Sequence, residues 1–146
     1  VDMLICSGVL HHIKDEPEKV FKNLCKRVKK GGIVIIGLYH PWGRVSVHFR
    51  QKFFKLTGGK FRNIDPRIRN ENWTEQRKLT WYRDQYEHPF EVDYSQKDLL
   101  ELFEKENIEL VGSIPKFEGN NANYDFYMLT KTGSQGGLFI FIGRKL

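Results

Sequence analysis

The sequence predicts an α/β fold, and three observations carry that reading. An apolar run at Met3–Cys6 ends in a small-residue turn, a segment with helical periodicity follows from Pro17, and Ile33–Leu38 is a continuous, mostly β-branched stretch. Strand, helix and strand within about forty residues make a βαβ unit, which implies a parallel pair joined by a right-handed crossover.

The first element is Met3-Leu4-Ile5-Cys6, stopped by Ser7-Gly8, with Val9-Leu10-His11-His12 leading on to Asp15-Glu16-Pro17-Glu18. Polar side chains just beyond the carboxyl end of a strand stand where open α/β sheets bind ligands. Asp15 and Glu18 have the spacing of a capping box, with Pro17 in the first turn. Val20, Phe21, Leu24, Cys25 and Val28 give the helix one apolar face, while Lys22, Lys26 and Arg27 fall toward water. Lys29 and Lys30 suit the negative end of the helix dipole, and Gly31-Gly32 ends the helix. The following run, Ile33 to Leu38, reads as a central strand covered on both faces.

Pro41-Trp42-Gly43 then breaks the pattern. Val45, Phe49, Phe53 and Leu56 line one side of a second helix that stops at Gly58-Gly59, and Arg44, His48, Arg50, Lys52 and Lys55 occupy its other side. From Lys60 to Pro89 periodicity is weak, so residues 41–93 read as a helical lid insertion. Ser95 with Asp98 marks the next helix start, with Tyr94 and Leu99 placed as a hydrophobic staple and Leu100, Leu102 and Phe103 turning inward. Ile108–Ile114 and Leu138–Ile142 read as strands, and Tyr124–Leu129 as a short element between them. Without a repeat or a long linker, 1–146 is expected to be a single domain.

Composition narrows the class. With 40% hydrophobic and 29% charged residues the chain is globular, and no apolar run approaches the ~20 residues that span a bilayer. Cys6 and Cys25 form neither a CxxC pair nor a Cys/His cluster at zinc-site spacing. Both are expected to be buried thiols of a cytoplasmic protein with no metal. The net charge of +6 is uneven: Arg44 to Arg83 holds 11 Lys/Arg against three Asp/Glu, so the positive surplus belongs to the insertion.

At Cys6-Ser7-Gly8-Val9-Leu10-His11-His12-Ile13, then Leu24 through Arg27-Val28-Lys29-Lys30-Gly31-Gly32, then Ile35-Ile36-Gly37-Leu38-Tyr39, the sequence resembles class I S-adenosylmethionine (SAM)-dependent methyltransferases. The resemblance implies a Rossmann-like sheet in which these are the fourth strand, the following helix and turn, and the fifth strand. The later helix and strand at Tyr94 to Ile114 and the last strand at Leu138 to Lys145 agree with the family's closing elements, the last strand lying antiparallel beside the fifth. The family's Gly-rich loop and the acidic residue for the ribose hydroxyls would precede Val1. None of the double glycines at Gly31, Gly58 and Gly136 opens a helix after a strand. The chain is therefore expected to be the C-terminal half of a methyltransferase, binding SAM weakly or not at all alone, and to form a homodimer through the strand edge left at Met3–Cys6.

The resemblance points to Cys6, Ser7, Gly8 and Val9 as cofactor-lining residues; a small residue there lets a ligand approach the backbone. His11, His12, Tyr39 and His40 would stand at the carboxyl ends of adjacent parallel strands and converge as catalytic candidates, offering a base to a protonated acceptor. The acceptor is expected to be a small molecule. The alternative is a non-catalytic basic module in which residues 44–83 contact nucleic acid or another polyanion.

Overall fold

The computed structural model describes residues 1–87, 90–131 and 137–146. Its elements in chain order are β1 (Met3–Ser7), α1 (Pro17–Cys25), β2 (Ile33–Tyr39), α2 (Pro41–Thr57), α3 (Glu75–Tyr86), α4 (Gln96–Lys105), β3 (Ile108–Ile114), α5 (Asn121–Thr130) and β4 (Leu138–Lys145), with short 3-10 turns at Leu10–His12 and Arg62–Ile64. Gly136 and the Pro89 end of the weakly periodic stretch lie outside the described residues. The chain divides into two compact units, one made of 1–44 with 90–146 and the other of 45–89.

The first unit holds a four-stranded sheet in the order β1-β2-β4-β3. β1 runs parallel to β2, from Met3 against Ile33 to Ser7 against Gly37. β4 lies antiparallel between β2 and β3, the arrangement the resemblance implies for its last strand. Val34, Ile36 and Leu38 point to one buried face of β2, where they meet Phe139 and Phe141 of β4, Phe21 of α1 and Leu99 and Phe103 of α4. Burial of ~25 cal/mol per Å² of apolar surface makes this cluster the main stabilising term of the unit.

Local chemistry sets the ends. Ser95 accepts from the Asp98 amide while Asp98 reaches back to the Ser95 amide, so the capping box expected at α4 is present. The one expected at Asp15 and Glu18 does not form. Pro17 takes the first helical position, which moves the cap to Glu16 in a left-handed conformation (φ 51°) with no side-chain cap bond. Cys6 and Cys25 are both buried free thiols, and burial pushes Cys25 up to about 12. At the start of α2, Gly43 lies against Gly137; a Cβ on Gly43 would stand 2.6 Å from the Gly137 Cα. The His40 amide donates to Gly137 O at 2.8 Å, so the entry to α2 is tied to the entry to β4 backbone against backbone.

In the second unit α2 packs through Val47 and Phe54 against Tyr82 and Tyr86 of α3. Of the stripe read as its inward face, Phe53 packs against this cluster, whereas Val45, Phe49 and Leu56 are turned out, with Phe49 71% and Leu56 86% exposed. α2 carries apolar residues on two faces, and tertiary contact decides which is used. α3 lies in the segment of weak periodicity because two of its buried residues are Gln85 and Tyr86, which a count of aliphatic positions misses. Asp65 is the hub of the unit. It accepts from Tyr86 Oη (2.6 Å), Trp81 Nε1 (3.0 Å) and the Arg67 amide (2.7 Å), and Arg50 Nε donates to Tyr86 Oη. No described helix is long and apolar enough to cross a membrane.

Candidate active site

The carboxyl ends of β1 and β2 and the segment at 90–94 form one polar cluster in the first unit. The Gly8 amide donates to Gly37 O at 3.0 Å, the Val92 amide to His11 O at 2.9 Å, and the Tyr94 amide to Tyr39 O at 2.8 Å. His12 Nδ1 lies 3.2 Å from Phe90 O; a carbonyl only accepts, so Nδ1 donates, and in the neutral form of the ring the lone pair belongs to Nε2. These backbone pins hold Glu91 beside the two histidines. The rings of His11 and His12 are 4.1 Å apart between centroids, and His11 lies 4.5 Å from Tyr39. Arg44 stacks over Tyr39 at 4.2 Å and pairs with Glu91 at 2.6 Å.

Three of the four catalytic candidates thus meet: His11, His12 and Tyr39. His40 does not join them. Successive side chains at a strand end turn to opposite sides, and His40 is fully buried against Tyr124 and Phe139. Its Nε2 is 2.6 Å from Gln96 Oε1 and 3.3 Å from Asp125 Oδ1. The Gln96 amide nitrogen faces three acceptors, Asn121 O, Asn121 Oδ1 and Asp125 Oδ1, which fixes the amide orientation and puts the His40 proton on Nε2. His40 Nδ1 is buried with no hydrogen-bond partner among the described residues. Burial is the largest influence and holds its pKa below the ordinary value, against the upward pull of Gln96 and Asp125. His40 is thereby a neutral structural residue joining β2, α4 and α5.

Of the four cofactor candidates, Cys6 is buried, whereas Ser7, Gly8 and Val9 are exposed at the end of β1. Gly8 has φ 74°, and a Cβ there would meet nothing within 4 Å; a Cβ on Gly37 would collide with the Ser7 side chain. The result is an open shelf of backbone next to His11. Sequence reading missed Arg44, assigned to a solvated helix face but 1% exposed, and Glu91, whose side chain is 13% exposed. An arginine at the first turn of a helix gives no periodic sign of burial, and Glu91 lies 79 positions along the chain from His12. His11, His12 and Glu91 bring one ligand atom each within 4.8 Å of one another, a grouping that the spacing of Cys and His does not reveal.

The second unit carries the basic character separately. Lys52, Lys55, Arg62 and Arg83 line a groove of about 950 Å³ with Tyr82 and Tyr86.

Comparison with known proteins agrees with the first unit. A family model described as a methyltransferase domain matches residues 1–36. An uncharacterized protein of Synechococcus sp. is 27% identical over 132 residues, covering 76% of this chain and 31% of its own; the chain spans about a third of that curated relative. Among solved structures, PKMT2 from Rickettsia typhi superposes with a TM-score of 0.63, and 0.64 in its complex with AdoHcy, at 11% identity over 97% of this chain and 35% of that one. An O-methyltransferase family 2 protein from Planctomyces limnophilus in complex with apigenin gives a TM-score of 0.50 at 12% identity, covering 99% of this chain and 31% of that one. The α/β fold therefore stands on the structure as well as on the sequence, and the match of residues 1–36 to a methyltransferase domain agrees with the resemblance read from the sequence.

Proposed function

We propose that this chain supplies the acceptor-side wall of a SAM-dependent methyltransferase site acting on a small molecule with a protonated oxygen or nitrogen. The observation that carries the reading is the convergence of His11, His12, Tyr39, Arg44 and Glu91 at the carboxyl ends of β1 and β2, beside the open Ser7–Gly8–Val9 shelf. The cofactor supplies an electrophilic methyl on sulfur. What remains for the protein is to orient the acceptor and receive its proton, and orientation alone can be worth ~7–11 kcal/mol of barrier.

His12 suits the base. With Nδ1–H directed to the Phe90 carbonyl, its Nε2 lone pair can take the acceptor proton as the acceptor atom bonds to the methyl carbon and the carbon–sulfur bond breaks. Tyr39 is held from two sides, by the His11 ring and the Arg44 guanidinium, and its backbone is fixed by Tyr94. Ser7, Gly8 and Val9 provide the surface the cofactor approaches. Titration of AdoHcy into isotopically labelled protein tests this: amide shifts are expected at Ser7–Val9, His11 and Tyr39, even for weak binding. Shifts confined to residues 45–87 overturn it.

A second reading rests on the groove of Lys52, Lys55, Arg62 and Arg83, none of which is in an ion pair among the described residues. Such a concentration of cations attracts polyanions. Retention on heparin at low salt that is lost on charge reversal at Lys52 and Lys55 supports it, and absence of retention removes it.

A further inference from the structure

We propose that His11, His12 and Glu91 bind one divalent transition-metal ion. The three residues come from two segments, and their ligand atoms already lie within 4.8 Å of one another. Two imidazoles and one carboxylate are a donor set for zinc, iron, cobalt or manganese rather than for calcium or magnesium, which favour all-oxygen sites. Bonds of about 2.0–2.2 Å place neighbouring ligand atoms roughly 3 Å apart. Binding must therefore draw the side chains together by up to about 2 Å, within reach of side-chain rotation.

The surroundings have the form of a supporting shell. A metal-bound histidine commonly gives its other ring N–H to a carbonyl, which fixes the tautomer and aims the lone pair, and His12 Nδ1 faces Phe90 O in that way. Ligating carboxylates are likewise held by hydrogen bonds, as Glu91 is by Arg44 at 2.6 Å. His11 is oriented by the Tyr39 ring and by its own carbonyl's bond from Val92. The backbone bond from Val92 to His11 ties the two ligand-bearing segments together, so the ligands cannot drift apart without breaking it. The Arg44 cation opposes a second positive charge, but it engages a carboxylate that has two oxygens and can serve both.

Three protein ligands leave positions open on such an ion. Resting on the methyl-transfer reading, one of them would hold the acceptor heteroatom and favour its deprotonated form; the ion would then replace His12 as the agent that removes the proton, because it occupies the Nε2 lone pair. Coordination itself does not depend on that reading, and its test does not use activity.

Protein stripped with chelator is titrated with Co²⁺ alone and followed by visible absorption, and Zn²⁺ is followed by calorimetry and by its effect on the unfolding midpoint. One equivalent of Co²⁺ is expected to give ligand-field bands that Zn²⁺ abolishes, with paramagnetic shifts on the His11 and His12 rings. His12→Asn and Glu91→Gln should each weaken binding by about tenfold or more, whereas His48→Gln, outside the cluster, leaves it unchanged. Because folding of each variant is checked by its unfolding midpoint in chelator, a lost signal is assigned to the ligand and not to the fold. The proposal is overturned by the absence of saturable binding near one equivalent, by wild-type affinity in both His12→Asn and Glu91→Gln, or by loss of binding in His48→Gln.

Discussion

Replacing Glu91 by leucine removes the carboxylate that faces a guanidinium buried to 1% exposure, at 2.6 Å. Breaking a buried pair from one side costs ~3–5 kcal/mol, because the remaining charge is left in a poorly solvated place. The Tyr39 face, 4.2 Å from the guanidinium, retains a cation–π attraction of ~1–2 kcal/mol in both proteins and so does not offset the loss. With a urea slope of ~1–3 kcal/mol per molar, the midpoint should fall by at least about 1 M. Replacing both partners, as Arg44→Met with Glu91→Leu, should recover most of that loss, since a well-packed apolar pair is often neutral or better. Hydrogen exchange at the β2 and β4 amides reads the unit that holds the pair, while Trp81 fluorescence reads the other. A Glu91→Leu midpoint within about 0.3 M of wild type, or a double variant no more stable than the single one, refutes the reasoning.

Asp65→Ala should destabilise the 45–89 unit by ~2–5 kcal/mol, since it strands the Tyr86 hydroxyl and the Trp81 indole N–H; an unchanged Trp fluorescence transition would refute this. Burial raises the Asp65 pKa, but the hydrogen bonds from Tyr86, Trp81 and Arg67 outweigh it and the net shift is downward. The stability it contributes is therefore present above the unfolded carboxyl value and lost as pH falls below it. His40 has a depressed folded pKa, so the unfolded chain takes up the proton first and stability declines as pH drops below about 6.5. Urea midpoints at about pH 7.5 and pH 5.5 should show a larger drop for wild type than for His40→Asn, and equal drops would refute the assignment. The edge of β1 exposes Met3 at 54% and Ile5 at 63%, and pairing of this edge in two copies is expected to give a dimer that Ile5→Lys dissociates. Light scattering that reports the 17.3 kDa monomer at every concentration would remove that expectation.

What the sequence made legible was local. β1, β2 and β4 are apolar runs bounded by glycine or charge, and α4 announces itself through Ser95 and Asp98, whose capping bonds involve neighbours three residues apart. Where two local signals competed, pattern alone chose badly. α2 offers a Val45–Phe49–Phe53–Leu56 stripe and a Val47–Phe54 pair, and the aromatic side chains of Tyr82 and Tyr86 select the second, drawing in Phe53 from the first. The Asp15–Glu18 spacing fits a capping box, but Pro17 shifts the register by one. In the site, His11, His12 and Tyr39 were visible because β-strand ends of a parallel pair gather ligands. His40 was placed with them although one step of strand alternation turns it away, and Glu91 and Arg44 are joined by a fold-dependent contact that no spacing encodes.

The position of β4 in the sheet bears on how the chain is made. β4 pairs with both β2 and β3, yet its residues, from Leu138 on, are the last of the four strands to be synthesised. At ~5–20 residues per second, β2 waits roughly 5–20 s after its own completion with one long edge of Ile, Val and Leu uncovered. β3 has no described strand partner at all until then. A nascent chain stalled anywhere between Tyr39 and Leu138 thus presents an open apolar template, not a smaller version of the domain. Expression of this protein should accordingly depend on chaperone cover during that interval, and premature termination should yield aggregates in place of partly folded product.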